Sequence, residues 1–84
     1  MKPLKRVAIV SNATKQGAVE IGEELRKRAE SHGVNALLTT EFPAPDGLLR
    51  DVDACFVIGG DGTLLNLMQQ AVEFDVPLAG IRHG

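Results

Sequence analysis

The feature that most constrains the fold is an alternation of short apolar runs with longer stretches of helical periodicity. The apolar runs predict four strands, at residues 7–10, 34–39, 52–58 and 76–81. Runs of this kind are typical of parallel strands that are buried on both faces. Helical stretches lie between them, so the sequence predicts an α/β fold: an open parallel, Rossmann-like sheet with right-handed crossovers and helices on both faces.

Two amphipathic helices are expected. Between Gly17 and His32, apolar residues recur at spacings of three and four, and Gly33 stands where a left-handed C-terminal cap is expected. The second helix follows the third strand and must end before Pro77. Its expected packing face consists of Leu64, Leu65, Met68, Ala71 and Val72. A short helical turn is also expected at residues 47–50.

Size and charge limit the possible partners. The 84 residues are 44% apolar, which is enough for one core, so residues 1–84 are interpreted as a single α/β subdomain. The net charge is −2 with the two signs interspersed, which argues against binding to nucleic acid or an anionic membrane. Cys55 is the only cysteine and is expected in the core. Without a secretory or membrane-spanning pattern, the expected location is the cytoplasm.

The candidate site is a glycine-rich turn between the third strand and the second helix. It consists of Gly59, Gly60, Asp61, Gly62 and Thr63. In an open parallel sheet, ligands bind at the carboxyl ends of the strands. Glycines expose backbone amides, and a helix N-terminus adds unpaired donors and a positive dipole end. The turn is therefore expected to bind phosphate, although it matches neither the Walker loop nor the dinucleotide fingerprint.

The presence of Asp61 in this turn requires a separate explanation, because phosphate binding does not favour a carboxylate among the glycines. One interpretation is structural: Asp61 caps the following helix. The other is functional: Asp61 removes a proton from a hydroxyl that attacks a phosphoryl group, or helps to hold the bridging metal ion. Turn chemistry alone leaves both open.

Residues 57–65 resemble the signature of the NAD kinases, which share a Gly-Gly-Asp-Gly core with lipid kinases and phosphofructokinases. Residues 7–15 are similar to the family's opening strand and its Asn-x-Thr-Lys loop. Residues 76–81 resemble the strand that ends the family's first subdomain. The resemblance implies ATP-dependent phosphorylation of the 2′-hydroxyl on the adenosine ribose of NAD, with Mg²⁺ or another divalent cation accompanying ATP.

The resemblance also implies roles for residues. It makes Asp61 the catalytic base and Gly62 a neighbour of the same ribose, with Gly59, Gly60 and Thr63 shaping the phosphate pocket. Family members have a second, β-rich domain with an Asn-Glu pair, so the fold is expected to be incomplete without it and residues 1–84 alone inactive. The complete protein is expected to be a homo-oligomer.

Further candidates lie near the same sheet edge. Asn12 and Lys15 follow the first strand and either contact a nucleotide phosphate or serve as a helix cap and a solvated lysine. Asn66 is a further nucleotide-contacting candidate, at a position where the family often has a basic residue. His83 is interpreted as a surface residue. The alternative functions are another kinase of the Gly-Gly-Asp-Gly superfamily, acting on a lipid, and a non-catalytic nucleotide-binding or interaction module.

Overall fold

The computed structural model describes residues 4–12, 17–40, 47–59 and 61–82, with the backbone alone at Asp61 and Arg82. The elements in chain order are β1 (Arg6–Ser11), α1 (Ala18–Ser31), β2 (Asn35–Thr39), β3 (Ala54–Gly59), α2 (Asp61–Phe74) and β4 (Leu78–Arg82). All four predicted strands and both predicted helices are present. Within the described ranges, no helix is long and apolar enough to cross a membrane.

The four strands form one parallel sheet in the order β2-β1-β3-β4. The chain runs from β1 outward to β2 through α1, and from β3 outward to β4 through α2. Right-handed crossovers that leave the centre in opposite directions place their helices on opposite faces of the sheet. The predicted fold class is therefore confirmed.

Each face of the sheet has its own apolar cluster, because successive residues of a strand point to opposite sides. Val7 and Ile9 belong to the cluster beneath α1, and Ala8 and Val10 to the cluster beneath α2. All four are at most 2% exposed. Because β1 is buried on both faces, residues 7–10 are all apolar. Cys55 lies in the α2 cluster with no exposed surface, as expected.

Both helices end in the same hydrogen-bonded motif. At the end of α1, Gly33 has φ of 78° and donates to Glu30 O, and Val34 donates to Ala29 O. This pattern is a Schellman motif, so the predicted glycine cap is confirmed. At the end of α2, the same left-handed position is held by Asp75, with φ of 54°.

The expected packing face of α2 is partly wrong. Ala71 is buried and Leu64 packs against the core, but Leu65, Met68 and Val72 are exposed. Leu67, which was not expected on this face, is fully buried in the core cluster beneath α2. Apolar residues cover about half of the circumference of α2, so periodicity alone could not determine which part of this arc faces the sheet.

Several polar side chains have roles that the sequence did not indicate. Asp53 accepts hydrogen bonds at Oδ2 from the backbone N–H groups of Lys5 and Arg6, at 2.9 and 3.0 Å. It therefore fixes the start of β1. Arg26 bridges Glu23 and Glu30 on α1, both at 2.8 Å, and these two carboxylates raise its pKa.

The connection before β3 contains a turn at residues 47–51. Gly47 has φ of 77°, and its carbonyl oxygen accepts from Arg50 N–H at 3.1 Å. The turn places the fully buried Leu49 on the α2 side of the sheet. The short helical turn expected here is thus a hydrogen-bonded turn that closes one side of the core.

Candidate functional site

The candidate site lies where the connections of the sheet diverge. The neighbouring central strands β1 and β3 send their chains to opposite sides, β1 toward β2 and β3 toward β4. Such a topological switch point leaves a crevice outside the carboxyl ends of the two strands, where open α/β proteins bind their ligands. Asn12 follows β1 and Gly59 ends β3, so both lie at this point.

Gly59 is required by the backbone and by its surroundings. Its φ of 152° is a conformation that residues with a Cβ rarely adopt. A Cβ at this position would lie 3.0 Å from Asn12 Cβ and 3.4 Å from Thr63 Oγ1. The end of β3 therefore turns toward α2 in a space that only glycine fits.

Asn12 connects the two central strands with the start of α2. Its backbone N–H donates to Ile58 O at 3.0 Å, which continues the β1-β3 pairing by one residue. Its side-chain Nδ2 donates to Thr63 Oγ1 at 3.3 Å, and Thr63 is only 2% exposed. Asn12, Gly59 and Thr63 thus form a packed contact that fixes the position of the first turn of α2.

The first turn of α2 is open on its outer side. The helix begins at Asp61 and runs for 14 residues, which places the positive end of its dipole at the switch point. Gly62 is exposed, and no atom of the described residues lies within 4 Å of a Cβ built there. Packing against the described residues therefore does not require glycine at position 62. The first N–H groups of a helix have no intrahelical partner, and such donors bind anions.

The predicted site residues separate into three groups. Asn12, Gly59 and Thr63 are in mutual contact, and Asp61 and Gly62 belong to the same junction. Asn66 lies about one turn further along α2 with an exposed side chain. The remaining candidates, Gly60, Lys15 and His83, fall outside the described residues.

Two features of the site were missed by sequence reasoning. The first is the switch point, because it depends on the strand order. The second is the Asn12–Thr63 hydrogen bond, for which the only sequence signal was the position of each residue directly after a strand or turn. Ser11 was also overlooked: its Oγ is fully buried and, among the described residues, has no hydrogen-bond partner.

Other groups in the described part of the chain lie away from this junction. No three His, Cys, Asp or Glu side chains within the described ranges are grouped to hold a metal ion. A surface cavity of about 490 Å³ lies at the amino end of the strands, where Arg6, Leu48 and Val52 are among its lining residues. None of the site residues that the structure describes lines it, and it lies at the opposite end of the strands from Gly59. We therefore assign it no part in the site.

The fold and junction define an open parallel α/β protein whose strand–turn–helix junction lies at the switch point of the sheet. No protein-family model matches the chain, but curated relatives do. The NAD kinase of Symbiobacterium thermophilum is 35% identical over 91 residues, covering 96% of this chain and 32% of the relative. The NAD kinase of Oleidesulfovibrio alaskensis is 34% identical over 86 residues, covering 99% and 29%.

A third relative, the NAD kinase of Cupriavidus pinatubonensis, is 32% identical over 93 residues, covering 98% of the chain and 30% of the relative. Matches that extend over nearly the whole chain, each to a protein of the same name, place it in one family. The chain belongs to the NAD kinase family. It spans about a third of the length of these curated relatives.

Proposed function

We propose that the chain is the N-terminal α/β part of an NAD kinase that transfers the γ-phosphoryl group of ATP to the 2′-hydroxyl of the adenosine ribose of NAD. The main observation in support of the proposal is that the junction between β3 and α2 lies at the switch point of the sheet, in a chain whose relatives are NAD kinases. The junction joins a glycine-only bend, an open helix N-terminus and an aspartate at the first helical position.

In this proposal, the backbone N–H groups at the start of α2 bind phosphate oxygens. Three of the four orphan donors of a helix N-terminus remain available even when one is capped. The absence of a side chain at Gly62 leaves space for the ribose to approach the backbone. The contact among Asn12, Gly59 and Thr63 keeps the turn in one position, which is what transfer between two bound substrates requires.

Asp61 is proposed as the general base. It accepts the proton of the ribose 2′-hydroxyl as the oxygen attacks the γ-phosphorus, and ADP leaves with the electron pair of the broken bond. The divalent cation is assigned to the substrate, as Mg²⁺ bound to the phosphates of ATP. Lys15 and Asn66 are proposed as further nucleotide contacts.

The remainder of the NAD site is proposed to come from a second, β-rich domain in the rest of the polypeptide, and the complete protein is proposed to be a cytoplasmic homo-oligomer. The 84 residues span about a third of the relatives, so they are expected to show no kinase activity alone.

The experiment that tests the function uses the full-length protein with ATP. It is offered NAD, a diacylglycerol and a sphingoid base in parallel, and each product is quantified. Formation of NADP with no lipid phosphate supports the proposal. Phosphorylation of a lipid but not of NAD would assign the chain to another branch of the superfamily. Absence of every product, together with no calorimetric heat from ATP or NAD, would identify a non-catalytic module.

A further inference from the structure

The apolar surface of α2 is about twice as wide as the part that the sheet covers. At about 100° per residue, its apolar residues occupy an arc of roughly 180° around the helix. One half of this arc, centred on the buried Leu67 and Ala71, faces the sheet. The other half is an exposed outer stripe consisting of Leu65, Met68 and Val72, with exposed fractions of 65%, 47% and 81%.

The contacts of α2 show which way the outer stripe faces. On one flank, Gln70 Oε1 accepts a hydrogen bond from Leu49 N–H at 3.2 Å, so this flank faces the turn at residues 47–51. On the other flank, Leu64 lies beside β4, where its Cδ2 is 4.0 Å from a Cβ built at Gly80. The outer stripe continues around the helix from Leu64. It therefore faces outward, past the edge strand β4.

Among the described residues, the outer edge of β4 on the same side has no neighbouring strand. In that part of the chain β4 pairs with β3 alone, and its residues Ala79 and Gly80 are exposed. The connection from β3 to β4 moves outward with α2 on this face of the sheet. Because such crossovers are right-handed, another outward step from β4 would place its helix on the same face, beside α2. That helix would lie over the outer stripe.

The size of the stripe favours a segment of the same polypeptide over a second copy of the chain. Three partly exposed side chains of this size present roughly 200–300 Å² of apolar surface, whereas a stable protein–protein interface takes about 800 Å² from each partner. A covalently connected helix needs less area, because its effective concentration is high. The relatives are about three times as long as the chain, so their polypeptides have residues to supply it.

We propose that the outer stripe is the packing surface of a helix that follows β4 in the full-length polypeptide and leads to a strand that extends the sheet beyond β4. The stripe is then a part of the core that residues 1–84 leave open. This inference depends on the fold and on the lengths of the relatives, and it is independent of the proposed activity.

Thiol reactivity in the full-length protein tests the proposal. Val72→Cys places a reporter on the stripe, and Glu73→Cys is the matched control on the neighbouring exposed position of the same helix. Met68→Cys is a second stripe reporter. The native Cys55 gives little background, because it is fully buried and its pKa is raised to about 12. Rates with dithiobis-nitrobenzoate are measured over a range of protein concentrations and normalised to the rates in urea.

The expected result is that both stripe reporters react at least about tenfold more slowly than the control, at every protein concentration, because a covered thiol reacts only after local opening. Equal rates for the stripe reporters and the control would overturn the proposal. Protection that disappears on dilution would also overturn it, because the stripe would then be covered by a second copy.

Discussion

Replacing Gly62 by alanine should raise stability and lower activity. A Cβ added at Gly62 would meet no atom of the described part of the chain within 4 Å, and φ at this position is outside the left-handed range. Alanine also loses less conformational entropy than glycine when a helix forms. We therefore expect the free energy of unfolding to rise by about 0.5 kcal/mol. A methyl group that displaces a bound substrate by about 1 Å can lower kcat/KM by roughly 100-fold.

The matched control is Gly59→Ala, three residues earlier. Its φ of 152° and the 3.0 Å approach to Asn12 Cβ make alanine costly there. We expect a loss of about 1–3 kcal/mol in the free energy of unfolding, together with loss of activity. Urea denaturation and initial rates of NADP formation in the full-length protein provide both quantities. Gly62→Ala with unchanged kcat/KM would refute the reasoning, because the open side of the turn would then not receive substrate.

Four further substitutions test the packing and the electrostatics of the fold by urea denaturation. Ser11→Ala should raise the free energy of unfolding by about 1 kcal/mol, because it removes a buried hydroxyl with no hydrogen-bond partner among the described residues. A lower free energy of unfolding would show that the hydroxyl does make a hydrogen bond. Gly22→Ala should lower the free energy of unfolding by about 1–3 kcal/mol, since the added Cβ would overlap Ser11 Oγ and lie 3.0 Å from Leu38 Cδ1. A gain in stability, which is usual when alanine replaces glycine in a helix, would contradict this packing. Asp75→Gly should raise the free energy of unfolding by about 1 kcal/mol, because glycine adopts the left-handed φ of 54° without strain. No change in the free energy of unfolding would indicate that aspartate is not strained in this conformation. Burial raises the pKa of Cys55 from 9.0 to about 12, so the thiol loses its proton at a lower pH in the unfolded state than in the folded state. The free energy of unfolding should therefore fall between pH 9 and 12, by up to about 1.4 kcal/mol per pH unit. An equal slope in Cys55→Ala would exclude the thiol as the cause.

The elements of the fold could be predicted because their signals are local. The run at residues 7–10 divides between two buried clusters, and Gly33 has the φ that a helix cap requires. Strand order could not be predicted in this way, because it depends on which strands pair across the chain. The switch point between β1 and β3 was therefore found only in the structure.

Side-chain environments were less predictable than elements. The apolar arc of α2 is wide enough to pack in two orientations, and contact with the sheet selected the half that contains Leu67 and left Val72 exposed. Asp53 has the same local sequence character as a solvated charge, yet its carboxylate accepts from the backbone at the start of β1. These outcomes depend on residues far apart in sequence.

For the candidate site, the sequence indicated the residues but not their arrangement. Asn12, Gly59 and Thr63 were each proposed as nucleotide contacts, and the structure shows that they also contact one another. Their proposed roles toward a nucleotide stay predictions, as do those of Gly60 and Lys15, which lie outside the described residues.

The most direct test of the proposed mechanism is the turnover of Asp61→Asn in the full-length protein. Asparagine has nearly the shape of aspartate and can accept the same backbone hydrogen bonds at the start of a helix, so this change keeps the side-chain volume and removes the charge and the capacity to accept a proton. With NAD and Mg²⁺-ATP at saturation, kcat should fall by roughly 100-fold to 10,000-fold, while the free energy of unfolding stays within about 0.5 kcal/mol of the original. Turnover equal to that of the original protein would show that Asp61 is not the base.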